Sequence, residues 1–255
     1  MLILGGIMEE EAFDMREALA TGENLDKVLA YAFVHEEYLK ELISYLDDDL
    51  WTVSKNALSI LLQIAKDRPE LYEPMLSKMM AMIHKSESVP LTQEIARAFG
   101  QIAKARPELV KRVMPVLFAS YRVGDIKTRV NMVYVIEEIA RSNPHLLSDL
   151  VADIKLLITS KDEKDKLTAL NFVTALGENN FAYVRPFLHY LLGLLNDENE
   201  VVRASTVESL VLLAENNEKF RKLVLSKLKE INDTSELVRK VVKEGIIRLT
   251  MKEGI

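Results

Sequence analysis

Apolar positions along this 255-residue chain fall at three- and four-residue intervals, and one short phrase closes each such stretch. It reads Ile64-Ala65, Ile102-Ala103, Ile139-Ala140, Leu176-Gly177, Leu213-Ala214 and Leu249-Thr250, in steps of 38, 37, 37, 37 and 36 residues. A period of that length marks a solenoid, because a unit so short buries a core only by stacking on its neighbours. Between phrases the order is constant: a break, an amphipathic helix, a turn, and a second amphipathic helix that ends on the phrase. The breaks hold Arg68-Pro69, Arg106-Pro107 and Asn143-Pro144, where proline cannot continue a helix. They also hold Asn179-Asn180 and Asn216-Asn217, where asparagine suits the left-handed conformation of a helix end.

The turns hold Asp47-Asp48-Asp49, Gly124-Asp125, Lys161-Asp162, Asn196-Asp197 and Asn232-Asp233. Asp162 to Asp165, Asp197 to Glu200 and Asp233 to Glu236 have the spacing of capping boxes. No sustained alternation and no Asn-Gly or Asp-Gly turn signals a strand. The pattern predicts six helix pairs over about 38–71, 72–109, 110–146, 147–183, 184–220 and 221–255, with 8–37 as a degenerate leading pair broken at Thr21-Gly22. Three residues before each anchor stand Leu61, Phe99, Ile136, Val173, Leu210 and Ile246, a core position. The small residues one after the anchor are expected to let the two helices of a pair approach closely.

Ten residues before the anchors stand Ser54, Thr92, Arg129, Lys166, Arg203 and Arg239, and sixteen before them Asp48, Asp197 and Asp233 recur. Here the chain resembles the HEAT-repeat family: Asp197 to Arg203 and Asp233 to Arg239 match its Asp…Val-Arg signature, and Pro74, Pro115 and Pro186 suit its first helices. The resemblance covers most of 38–255, looks like that of an archaeal HEAT-like protein, and is weakest in the second and fourth units. It implies an all-α, right-handed α-α superhelix of about six to seven antiparallel pairs. It also implies one solenoid domain over 1–255, with 1–37 as the N-terminal cap and 38–255 as six repeats. A structural ladder role is implied for Asp197, Arg203, Asp233 and Arg239.

Composition narrows the function. Apolar residues make up 49% and charged residues 28%, as in a packed soluble protein. The absence of cysteine excludes disulfides, a thiol nucleophile and cysteine metal sites, and fits a reducing cytoplasm. A net charge of −6 gives no global pull on nucleic acid or acidic lipid. No apolar run reaches membrane-spanning length. Scarce glutamine with abundant Glu and Lys leans toward a thermophile. The apolar start Met1 to Met8 lacks a basic n-region and reads as a start-site artefact, with Gly5-Gly6 ahead of a true start at Met8.

In the family the second helices line the concave side, which makes the positions eight, five and one before the anchor and two after it the outward stripe. Lys66, Arg97, Lys104 and Arg141 come early in that stripe, and Glu178, Glu208 and Glu215 come late. One reading is a solvated face of ordinary variety. The other is a groove with a basic and an acidic half, centred on Arg97, Gln101, Lys104, Tyr134, Glu138, Arg141 and Asn171, that orients a protein or peptide.

Trp51, the one tryptophan, is read as packing at a second-helix start, and Glu137-Glu138 as exposed charge. The histidines His35, His84, His145 and His189 have no metal-ligand spacing, and no nucleotide or nucleophile motif occurs. The expectation is a non-catalytic scaffold without cofactor or metal. The alternative is a nucleic-acid binder, with or without base repair, using the basic N-terminal half. An enzyme acting on a small molecule has no motif behind it. Self-association through the last pair, ending at Met251-Lys-Glu-Gly-Ile255, is a further option.

Overall fold

The structure, a computed structural model, describes residues 13–253. The start-site reading at Met1, Gly5-Gly6 and Met8 lies outside them, as do Gly254 and Ile255 at the end of the last pair. Every regular element among the described residues is helical. In chain order they are α1 Met15–Thr21, α2 Leu25–Val34, α3 Glu36–Ser44, α4 Trp51–Ile64, α5 Tyr72–Lys85, α6 Val89–Ala105 and α7 Pro107–Val123. There follow α8 Ile126–Ser142, α9 Val151–Ile158, α10 Glu163–Gly177, α11 Leu188–Leu194, α12 Glu200–Glu215, α13 Glu218–Glu230 and α14 Glu236–Glu253. The result is an all-α fold of successive helix pairs. These residues fall into two compact units, one running to Ala98 and one from Phe99, and each is described by itself.

In the first unit α4 is the hub: α1, α2 and α3 all pack on it. The break between α1 and α2 falls at Gly22, whose φ of +79° closes α1 in the left-handed region while its N–H bonds Ala18 O. Arg16 of α1 makes a two-pronged bond to Asp48 at 2.8 and 3.0 Å, and Asn56 of α4 donates to Leu19 O at 2.7 Å.

In the second unit α7, α9, α11 and α13 pack on α8, α10, α12 and α14 respectively, and the latter four stack on one another in order. Ile102, Ile139 and Leu249 are fully buried, and Leu176 and Leu213 nearly so. Ile246 is only half-buried, on a last helix with no following repeat against it among the described residues.

Four expectations are corrected. The first helices of two repeats are not continuous. Residues Pro144–Leu150 and Phe181–Phe187 form tighter 3-10 turns before α9 and α11, the second with Pro186 inside it.

The small residue after the anchor serves the junction between repeats. A β-carbon on Gly177 would sit 2.2 Å from Leu213 and 2.5 Å from Val184, both of the following repeat.

The asparagines at the breaks do not adopt the left-handed conformation, since Asn24 is the one non-glycine residue with positive φ among those described. Asn180 and Asn217 instead sit in extended backbone and cap the next helical segment through Ala182 N and Phe220 N. Asn143 and Asn179 donate across repeats to Ala103 O and Arg141 O at 3.0 and 2.9 Å.

Finally, Asp197 is not the cap of α12. That role belongs to Asn199, whose side-chain oxygen accepts from Val201 N and Val202 N, while Asp197 accepts from Asn199 N.

Candidate functional site

At the turns that open the second helices, basic side chains of one repeat reach aspartates of the next. Lys166 meets Asp197 at 2.5 Å, and Arg203 grips Asp233 with Nε and Nη2 at 2.7 and 2.9 Å. Arg129 meets Asp165 at 2.8 Å and lies over the Tyr121 ring. In three of the turns the position ten before the anchor also closes its own loop. Arg203 donates to Asp197 O, Arg239 to Asp233 O, and Ser54, in the first unit, to Asp48 O with a shorter arm.

The pairing holds Asp233 below the usual carboxylate range, chiefly through the Arg203 hydrogen bonds. Burial pushes Asp197 up, but the Lys166 bond, the Asn199 amide and Arg203 outweigh it and hold it low. Asp165 is a rung that its distance from the anchor does not flag.

Toward the other end of the same helices the charges are unbalanced. A groove of about 560 Å³ crosses α8, α10 and α12. It is bordered by Glu137 and Arg141, by Asn171 and Glu178, and by Ser205, Glu208, Leu212 and Glu215. Four carboxylates thus face one guanidinium. Arg141 is already held between Glu138 at 2.7 Å and Glu178 at 2.5 Å. Glu215 is paired with Arg248. Glu137 makes no hydrogen bond or ion pair with any described residue, and burial pushes its carboxyl above the usual range.

The residues expected at the centre of the stripe therefore divide. Arg141 and Asn171 border the groove, and Glu138 positions Arg141. Tyr134 is half-buried on α8, Gln101 and Lys104 lie on α6 with Lys104 exposed, and none of the three borders the groove. Arg97, in the first unit, is clasped by Glu94 of its own helix at 3.0 Å. Of the expected basic half, Arg97 is paired once and Arg141 twice, whereas Lys66 and Lys104 are exposed and make no ion pair with any described residue.

Glu137 and Glu138 are not solvated charge, since both are half-buried. A signal for Glu137 existed in the sequence. It stands two before the anchor, where other repeats place Leu62, Gly100, Thr174, Val211 and Ile247. A carboxylate at an apolar or small register position calls for a local reason.

The first unit has a larger cavity of about 820 Å³ beside the turn that opens α4, bordered by Leu46, Asp49, Trp51, Met82, Val89 and Pro90. Trp51 is 40% exposed there, so it is not the packing residue expected from its position. Its place as the first residue of α4 turns the indole outward. No group of three or more His, Asp or Glu suited to a cation occurs among the described residues. No helix among them is long and apolar enough to cross a membrane.

Stacked helix pairs tied by charged rungs define a helical-repeat protein. Two stretches match HEAT-repeat models: the family model described as a HEAT repeat matches residues 187–216, and that described as the repeat of uncharacterized protein PH0542 matches 47–91. No curated protein matches the chain.

Among solved structures, the chain is similar to the archaeal HEAT-like repeats protein from Thermococcus onnurineus NA1. Identity there is 15%, with 93% of this chain and 96% of that one covered and a TM-score of 0.48. It is also similar to a designed armadillo repeat protein, YIII(Dq.V1)4CPAF, in complex with the peptide (KR)4. That match has 18% identity, covers 82% of this chain and 98% of the other, and has a TM-score of 0.43.

Proposed function

We propose that the chain is a non-catalytic scaffold that binds a protein or peptide segment along the exposed face of its second helices. The observation that carries this reading is the groove crossing three consecutive second helices, α8, α10 and α12, with polar and charged side chains from each. A segment lying across successive repeats gathers one or two contacts from each, which suits an extended peptide. The pairing of Arg97 with Glu94 and of Arg141 with Glu138 and Glu178 favours a protein partner over nucleic acid, because it leaves only Lys66 and Lys104 of the basic half free for phosphates.

Selection of random dodecapeptides on the full chain, followed by amide hydrogen exchange of the best binder, tests the proposal. Protection is expected in α8, α10 and α12. Failure to select any binder, or protection confined to the first helices, overturns it. Retention of DNA on a filter at low salt would instead favour the nucleic-acid reading.

A further inference from the structure

We infer that the groove across α8, α10 and α12 receives an arginine side chain of the bound protein segment, with Glu137 as the carboxylate that recognises it. The inference rests on the scaffold reading above and narrows it to one kind of partner residue.

Three observations converge. First, Glu137 is half-buried and makes no hydrogen bond or ion pair with the rest of the described protein, although its neighbours Glu138, Glu178 and Glu215 are all ion-paired. A partly desolvated carboxylate with no protein donor, eased only by the nearby charge of Arg141, is one that a ligand bearing N–H groups can hold. Second, Glu208, on the facing helix α12, is exposed and likewise makes no hydrogen bond or ion pair with any described residue. The groove thus has a second acid without an ion-pair partner, and its single guanidinium, Arg141, is already bonded to two other carboxylates. Third, the groove reaches the last turns of all three helices, at Arg141, at Thr174 and at Leu212, where the negative end of the helix dipole favours a cation.

Asn171 and Ser205 add neutral acceptors, and Leu212, 43% exposed, offers apolar surface to an aliphatic stem. A planar guanidinium with five donors and weak hydration fits such a mixed, partly dry site better than a compact, strongly hydrated ammonium.

Fluorescence anisotropy with labelled octa-arginine tests this, with octa-lysine and the uncharged isostere octa-citrulline as comparisons, on the full chain and two variants. Glu137→Gln removes the recognising charge. Glu230→Gln removes one charge from the exposed end of α13, where Glu230 pairs with Lys227 and does not border the groove. The expected result is binding in the order arginine, lysine, citrulline, with a loss of tenfold or more for Glu137→Gln and under threefold for Glu230→Gln. Glu137→Gln should also raise Tm, so that lost binding cannot be ascribed to unfolding.

Equal weakening by both variants, no binding of octa-arginine, or equal binding of octa-citrulline overturns the inference. If octa-arginine fails while selected dodecapeptides still protect α8, α10 and α12, the arginine site falls and the scaffold stands. If both fail, both fall.

Discussion

The two edges of the same helices treat carboxylates in opposite ways. At the turns that open α12 and α14, Asp197 and Asp233 are held by Lys166 and Arg203 of the preceding repeat and lie low in pKa. Toward the far end of α8, Glu137 is half-buried, unbonded and high. Both edges are stacked contacts between repeats, so proximity alone does not explain the contrast. What differs is that the turn edge supplies a cation for each acid and the groove edge does not. The first edge holds repeats together. The second bears an electrostatic penalty that folding does not use.

The largest effect should come from breaking a rung. Arg203→Ala leaves Asp233 without its bidentate partner, and the two side chains are only 15% and 10% exposed. Removal of one member of a buried pair is costly, and at this turn edge a loss of about 2 kcal/mol in stability is expected by denaturant unfolding. Ala140→Leu tests the close junction of stacked repeats and should cost ~1–3 kcal/mol through overpacking. An unchanged unfolding midpoint would mean that the repeat register is wrong.

The pH response should separate the edges. Asp48, Asp197 and Asp233 have lowered values in the folded chain. Their stabilisation is complete above the unfolded aspartate value of ~3.9 and is lost as pH falls through the lower folded values. Arg203→Ala should therefore flatten the acid limb of a stability–pH curve. Glu137 has the opposite sign: its raised folded value means a penalty above that pH, relieved as pH falls toward ~4.3. Glu137→Gln should raise Tm at pH 7 by about 1–2 °C, read by thermal scan. The smallest effect belongs to Lys222→Ala. It breaks an i,i+4 pair with Glu218 whose side chains are 67% and 73% exposed, and no measurable shift in Tm is expected.

Much of the fold was legible because repetition multiplies a weak signal. Six anchors in register locate a second helix each time, where a single apolar run would not. The turn chemistry was legible only in part. Asp197 to Glu200 looks like a capping box, yet Asn199 takes the cap and frees Asp197 to meet Lys166 of another repeat. A local pattern cannot reveal a partner 31 residues away.

The site was less legible still. Glu94 and Glu138, three residues before Arg97 and Arg141 on the same helices, were legible as partners, but the second partner of Arg141, Glu178, is supplied only by the stacking of the next repeat. Trp51 looked like core because its register suited packing, whereas the turn at Asp48 presents it outward. Glu137 carried a readable clue, a charge where other repeats place apolar or small residues, but its burial needed the neighbouring helices.

The most direct test of the contrast is carboxyl-carbon NMR titration of the unliganded full chain with Glu137 and Asp233 assigned. The account predicts that Glu137 titrates above the ordinary glutamate value of ~4.3 and Asp233 below the ordinary aspartate value of ~3.9. A Glu137 that titrates at or below the ordinary value would mean that its charge is already compensated within the fold, and the groove would lose its reason to bind a cation.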